Sequence, residues 1–265
     1  ANLCRQIRCN VSLGKDFTIE SLKTTGYEAI FIALGAQANQ RMKIKGEDLP
    51  GVLSGIGFLG DVALGKKVTL GKKVAVIGGG NTAIDAARTA LRLGAGKVTI
   101  VYRRSRNEMP ANEEEVEQAE QEGIRLQFLA APVSVSAQNG RVDSMECIRM
   151  VLGEPDSSGR RRPEPIAGSE FTMKVDTVIM AIGQTLDTSS LDQDGQVKLN
   201  RRGYINTNEE TMETSMEGVF AGGDCSSGPA TVVEAVAAGR RAAISINQYL
   251  SNQQIAPETK PYNCT

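Results

Sequence analysis

Residues 74–77, Val-Ala-Val-Ile, are apolar without alternation, the pattern of a strand covered on both faces within a parallel sheet. The run stops at Gly78, Gly79 and Gly80. Over residues 81–93 the apolar spacing becomes helical, with Ala83, Ile84, Ala87, Ala90 and Leu91 on one side and Arg88 and Arg92 on the other. Gly94 ends that helix as a left-handed residue does, and residues 98–101 form a second buried strand. Strand, glycine turn, helix and strand make one unit of about 30 residues, the size of a βαβ element.

The rest of the chain is placed around that unit. Residues 7–11, IRCNV, and 27–35, YEAIFIALG, predict strands joined by a short helix over 18–23 that Asp16 or Thr18 opens. Nothing before Ile7 supplies a first strand with its own glycine turn, so residues 1–35 read as the later part of a sheet whose opening lies outside this sequence. The polar segment 36–58, with Pro50 and Gly51, predicts the first crossing between domains. After the second strand, Asn112 caps a helix with an acidic first turn that ends at Gly123, and a strand follows over 126–130. Alternating segments at 133–137, 142–151 and 171–174 predict a β-meander, with the polar residues 154–169, including Arg160, Arg161 and Arg162, as its solvated tip. Residues 175–183, VDTVIMAIG, repeat the form of 27–35, an apolar strand closing on Ala-x-Gly. The echo predicts an α/β fold of two Rossmann-like dinucleotide-binding domains, in three layers with parallel central sheets. One domain, 58–183, is inserted into a partial second one made of 1–57 and 184–265.

The glycine turn carries the first candidate chemistry. Gly78, Gly80 and Ala83 are spaced G-x-G-x-x-A: a tight turn, a close backbone approach to a pyrophosphate, and close packing of helix on strand. The phosphate then meets the N–H groups at the helix start, around Asn81 and Thr82. A site for NAD places Asp or Glu at the tip of the second strand, whereas this strand ends Tyr102, Arg103, Arg104, with Arg106 following. Guanidiniums suit a 2′-phosphate. At about 1.5–3 kcal/mol per charge-assisted bond, two of them favour NADP(H) by about a hundredfold or more; the alternative is a solvated strand end. A second match, Gly55, Gly57 and Gly60, has no buried strand before it and reads as a small packed helix.

Residues 218–224, GVFAGGD, carry the second candidate, a strand, the pair Gly222 and Gly223, and Asp224, ahead of an alanine-rich helix over 231–250. Asp224 suits sugar or ribityl hydroxyls, and N–H groups near Thr231 suit a ring oxygen or phosphate; a structural turn is the alternative. Gly35 and Gly183 are points of close backbone approach to a cofactor. The tail 251–265 reads as a linker or arm.

Composition narrows the chemistry. The sequence of 265 residues is 40% hydrophobic with 28 glycines and a net charge of −1, which fits a turn-rich α/β enzyme and gives no reason to expect nucleic acid. No apolar run approaches a membrane span and no signal peptide is visible, the marks of a cytosolic protein. With no histidine, nucleophile chemistry that needs an imidazole is excluded. Cys4, Cys9, Cys147, Cys225 and Cys264 include no C-x-x-C pair, so neither a dithiol centre nor an iron–sulfur run is visible. No catalytic side chain and no metal site are assigned; the chemistry falls to a cofactor.

The segments YEAIFIALGA, VAVIGGGNTAIDAARTALRLGA, VTIVYRRSRNEMPANEEEVEQAEQEG, VIMAIGQT and GVFAGGDCSSGPATVVEAVAAGRRAA resemble the small subunit of NADPH-dependent glutamate synthase and its relatives, which include the NADPH-accepting half of dihydropyrimidine dehydrogenase. The resemblance implies an FAD domain interrupted by an NADPH domain, with hydride passing to flavin and electrons leaving through iron–sulfur clusters in other domains or a partner subunit. It implies Gly79, Gly80, Asn81 and Thr82 at the pyrophosphate, Arg103 and Arg104 at the 2′-phosphate, Ala181, Ile182 and Gly183 at the nicotinamide half, and Ala221, Gly222, Gly223, Asp224 and Thr231 at the flavin. The family's cysteine-rich N-terminal domain and first FAD strand are not in this sequence. A non-catalytic NADP-binding module with an incomplete flavin site is the alternative, and an oligomer is compatible with either.

Overall fold

The computed structural model describes residues 6–156, 159–189, 191 and 197–257. The chain packs as two units, Ala1–Ala38 with Gln184–Thr265, and Asn39–Gly183. In the first, helix α1 (Ile19–Thr24) precedes strand β1 (Ile30–Ile32), and the two-residue β2 (Ala38–Asn39) lies where the chain crosses over. Thr18 opens α1 in a capping box with Ser21, whereas Asp16 accepts from the Ser12 N–H. Residues 7–11 form no strand: Ile7 is 81% exposed and no neighbouring strand offers these residues a ladder.

The unit Asn39–Gly183 opens with β3 (Val52–Ser54), α2 (Gly55–Ala63), β4 (Lys73–Ile77), α3 (Asn81–Arg92) and β5 (Lys97–Tyr102). Helix α4 (Glu113–Gln121) and β6 (Arg125–Phe128) follow, then β7 (Ala130–Gln138), β8 (Arg141–Pro155), β9 (Arg161–Pro165), β10 (Phe171–Lys174) and β11 (Thr177–Met180). Five strands form a parallel sheet in the order β3-β11-β4-β5-β6. Its two faces separate by alternation: Val74, Val76, Val98, Ile100 and Ile179 pack with Ala83, Ile84 and Ala87 of α3, while Ala75, Ile77, Val101, Val178 and Met180 pack with Val135, Val142 and Met145. Helices thus cover one face and the antiparallel sheet β10-β8-β7 the other, which is why the strands read as unbroken apolar runs.

Three expectations change here. The first domain crossing comes at 38/39 rather than 57/58, because β3 hydrogen-bonds β11 and so belongs to this sheet. That strand also precedes Gly55, so the literal glycine match does follow a strand. It still forms a packed helix, capped by Ser54 Oγ accepting from the Gly57 N–H at 2.9 Å. The stretch 154–169 is not wholly a solvated tip, since β9 pairs with β8 within it.

On the return, the two-residue β12 (Gln184–Thr185) is followed by β13 (Val219–Ala221), the short α5 (Asp224–Ser227) and α6 (Val232–Leu250). Strand β13 runs parallel to β1, with Phe31 beside Phe220. Ile19, Ile32, Tyr204, Ile205, Val219 and Ala221 form one core of this unit; Phe220 forms another with Ala238 and Ala242, and meets Tyr249 edge to face at 6.1 Å. Among the described residues no helix is long and apolar enough to cross a membrane.

Helices α3 and α4 are joined through charge. Arg88 and Arg92 both reach Glu122 Oε1, at 2.7 and 2.9 Å. The hydrogen bond from Arg88 is the main cause holding the Glu122 carboxyl below its ordinary value. A depressed carboxylate stabilises the fold above its unfolded-state pKa and loses that effect as pH falls through its folded-state value. Glu122→Gln is therefore expected to lower Tm at pH 7, with the gap to wild type closing below about pH 4 in a series of thermal melts. A gap unchanged at pH 3 would assign the contact to packing.

Candidate functional site

The turn after β4 needs glycine at two positions for steric reasons and at a third for none that the fold supplies. At Gly78, φ is +146° and an added Cβ would lie 2.1 Å from the Ala181 carbonyl oxygen. At Gly79 it would lie 2.5 Å from the ring of Tyr102, whose hydroxyl donates to the Glu108 carbonyl at 2.8 Å. Gly80 has φ −95° and ψ 177°, open to any residue, and an added Cβ would meet nothing nearer than Pro110 Cγ at 3.9 Å. The space over Gly80 is kept clear by sequence, not by packing.

Helix α3 starts at that clear space without a side-chain cap and without an acidic residue in its first turn. The other described helices of six residues or more are each closed by a side-chain oxygen: Thr18 for α1, Ser54 for α2, Asn112 for α4 and Thr231 for α6. In the first turn of α3 the Ala83 N–H donates to the Gly80 carbonyl at 2.9 Å, while the N–H groups of Asn81 and Thr82 come before any helical carbonyl and suit an anion. The loop after β5 braces this arrangement, with the Ala111 N–H donating to the Gly79 carbonyl at 3.2 Å and the Asn112 N–H to Asn81 Oδ1 at 3.0 Å.

A cleft of about 650 Å³ opens over the turn. Its walls include Gly78, Gly79, Gly80 and Thr82, the strand-tip residues Arg103 and Arg104, and Ala181, Ile182 and Gly183 from the loop after β11. The structure thus gathers every residue predicted for the dinucleotide except Asn81, whose side chain serves the brace. Parallel pairing does this, because Met180 lies beside Ile77 and the Ala181 N–H donates to the Ile77 carbonyl at 2.8 Å, bringing both loops to one sheet edge.

The arginines diverge. Arg103 stands exposed at the cleft, its pKa lowered by partial burial and then by the charge of Arg104. Arg104 is only 4% exposed; its Nε donates to the Arg161 carbonyl at 2.7 Å and its Nη2 to Asp156 at 2.6 Å. A buried guanidinium requires partners, and here a carboxylate and a carbonyl meet two of the donors of Arg104, which also lines the cleft. Arg106 pairs with Glu120 at 2.7 Å. Sequence reasoning missed Arg160, which lines the cleft from the turn between β8 and β9. Only the pairing of those strands places it there, and no local signal announces it.

The second constellation lies in the other unit. At Gly222 an added Cβ would come within 3.1 Å of both Ala238 and the Phe31 ring, and Gly223 has φ +72°. Asp224 opens α5, its Oδ1 accepting from the Ala230 N–H at 3.3 Å. Gly35, Gly222, Gly223, Asp224 and Thr231 line a cleft of about 280 Å³ whose apolar side is Phe31 and Val232, while Ala221 lies buried beneath. Thr231 departs from expectation: its N–H and hydroxyl donate to Glu234 Oε2 at 2.8 and 2.6 Å, so the amide meets a carboxylate of its own helix. The Cys225 thiol lies under this turn, and burial raises its pKa; burial pushes Cys147 up to about 12, so neither holds a thiolate at neutral pH.

Comparison with known proteins agrees with this geometry. The chain is 49% identical over 254 residues to the NADP(+)-dependent formate dehydrogenase subunit beta of Moorella thermoacetica, covering 95% of this chain and 36% of that protein. It is 35% identical over 260 residues to the glutamate synthase [NADPH] small chain of Escherichia coli (strain K12), covering 92% of this chain and 55% of the relative. Among solved structures, Mycobacterium tuberculosis FprA in complex with NADPH shares the two-domain Rossmann-type fold, with a TM-score of 0.69 at 20% identity over 92% of this chain and 68% of that one. Residues 5–239 match the model of one family, and the chain belongs to it: Pyridine nucleotide-disulphide oxidoreductase.

Proposed function

We propose that this chain is the NADPH- and flavin-binding part of an oxidoreductase that passes electrons to a partner subunit or domain. The observation that carries the reading is the clear floor at Gly80 beneath an uncapped helix start, with Arg103 in the same cleft. The residues present fit a dinucleotide phosphate, since a Cβ at Gly80 would stand where the backbone must approach it. The relatives named for NADP(+) or NADPH support the choice of coenzyme. When bound, NADPH supplies a hydride and a flavin accepts it and releases electrons singly.

The chain's own part is to bind and orient. The first turn of α3 and the Gly78–Gly80 turn hold the pyrophosphate, Arg103 holds the 2′-phosphate, and the loop 181–183 borders the nicotinamide half. In the other unit, Asp224 accepts from flavin hydroxyls while Phe31 and the exposed Val232 offer an apolar wall to the ring. The unit Asn39–Gly183 is thus the NADP(H) domain and the other the flavin domain, with iron–sulfur clusters supplied by other domains or a partner. Free cysteines Cys9, Cys147 and Cys225 are in keeping with work in the cytoplasm.

Gly80→Ala is expected to leave Tm unchanged, since the nearest atom, Pro110 Cγ, would lie at an unstrained 3.9 Å, and to raise Kd for NADPH and NADH alike by roughly tenfold or more. Arg103→Ala is expected to raise Kd for NADPH by about 10- to 150-fold with little effect on NADH, the size of one charge-assisted bond. Titration of nicotinamide fluorescence reads both, and equal loss of both coenzymes in Arg103→Ala rejects the 2′-phosphate assignment. The flavin assignment expects a yellow protein that NADPH bleaches anaerobically and that loses flavin, but not NADPH affinity, in Asp224→Ala. A colourless protein that still binds NADPH would instead make the chain a non-catalytic binding module.

A further inference from the structure

The sheet order β3-β11-β4-β5-β6 gives the coenzyme cleft a direction. Arg103 stands at one end, at the tip of β5; the glycine turn after β4 lies in the middle, and the loop 181–183 after β11 makes the opposite end. A dinucleotide laid along that edge with its 2′-phosphate at Arg103 therefore brings its nicotinamide to the loop 181–183. The exposed Gln40 stands at that end and lines the same cleft. Its N–H donates to the Gly183 carbonyl at 3.1 Å, and its carboxamide folds over the same glycine, with Oε1 3.1 Å from where a Cβ on Gly183 would lie. The segment that follows is sewn down. The Glu47 carboxylate, its side chain 7% exposed, accepts from the N–H groups of Met42 and Lys43 at 2.9 and 2.7 Å, and the Val135 N–H donates to the Lys45 carbonyl at 2.8 Å. Gln40 is thus an amide at the cleft carried on a fixed backbone.

We infer that Gln40 is the side chain that recognises the carboxamide of the nicotinamide ring, in a head-to-tail pair where Oε1 accepts from the ring's amide N–H and Nε2 donates to its oxygen. The inference rests on the NADPH reading above and goes beyond it in assigning a recognition residue to the end of the cleft where the hydride leaves. The loop 181–183 is Ala-Ile-Gly and offers no polar side chain, so side-chain recognition at this end falls to the neighbouring segment 40–42. There Arg41 is engaged by Asp48 and Glu47, and the Met42 thioether is a weak acceptor only. A glutamine amide presents a donor and an acceptor side by side, the complement of a carboxamide. It carries no charge, so it serves the neutral reduced ring and the cationic oxidised ring alike, which a carboxylate or a guanidinium does not. The carboxamide is the polar substituent of the ring, and holding it fixes which face the ring turns to its hydride acceptor.

The test measures Kd for three ligands in the wild-type chain and in Gln40→Met, which keeps the length of the side chain and removes its amide. The ligands are NADPH, its 3-acetylpyridine analogue, which has a methyl group in place of the amide nitrogen, and 2′,5′-ADP, which has no nicotinamide. Gln40→Met is expected to raise Kd for NADPH by about fivefold or more, to raise it less for the analogue, and to leave 2′,5′-ADP unchanged. The wild-type preference for NADPH over the analogue should vanish in the variant, because a site that hydrogen-bonds an N–H discriminates against a ligand lacking it. An unchanged Kd for NADPH, or a preference over the analogue that is absent in the wild type or survives the substitution, overturns the assignment. Equal weakening of 2′,5′-ADP overturns it too, since the side chain would then shape the cleft rather than meet the ring. A wild-type chain that does not bind 2′,5′-ADP rejects the NADPH reading itself, whereas one that binds it and shows no effect of Gln40→Met rejects this inference alone.

Discussion

The structure turns on a set of unsatisfied hydrogen-bond donors at the start of α3. A helix leaves its first N–H groups without internal partners, and most helices of this chain settle the matter with a hydroxyl or an amide oxygen. Helix α3 does not, although the sequence had the means: Asn81 and Thr82 both carry capping oxygens, and Asn81 turns its own toward the Asn112 N–H. An uncapped start costs about 1 kcal/mol against a capped one. Such a start beside a glycine that the fold does not require is best accounted for by a ligand that completes it.

Charge at the tip of β5 follows a related rule. Three guanidiniums and one carboxylate meet there, and the fold assigns them different tasks according to burial. The buried Arg104 takes the carboxylate, because removing a guanidinium from water without a partner costs more than the ion pair returns at the surface. Arg103, still in contact with water, needs no internal partner. One buried pair thus ties Asp156 to the strand tip, 52 positions away in sequence.

The βαβ unit was fully legible, because strand, turn and helix are set by residues close in sequence, and so were the Asn112 cap and the meander. Misreadings arose where long-range pairing decides. Residues 7–11 have strand composition but no partner; residues 52–54 look like loop yet pair with β11, 126 positions on; and Arg104 is buried against Asp156 because the β8–β9 ladder brings that carboxylate to the strand tip. Thr231 lines its cleft as expected of its position, and Glu234, three residues later, completes a capping box with it, a signal present in the sequence.

That capping box separates two sites otherwise built alike. In each unit a strand ending in Ala-x-Gly runs parallel to one ending in Gly-Gly, β11 beside β4 and β1 beside β13. In each, the first N–H past one strand donates to the last residue of its neighbour, Ala181 to Ile77 and Gly222 to Ile32. Within each unit parallel pairing brings both C-terminal ends to one edge, where a positive-φ glycine, Gly183 in one and Gly35 in the other, lines that unit's own cleft. The helix starts then differ in sign. At α3 no carboxylate stands in the first turn and the arginine-lined cleft opens above it, which favours a phosphate; at α6 the Glu234 carboxylate accepts from the Thr231 N–H and hydroxyl, which disfavours one. The same backbone plan therefore ends on an arginine-lined helix start in one unit and on a carboxylate-capped one in the other.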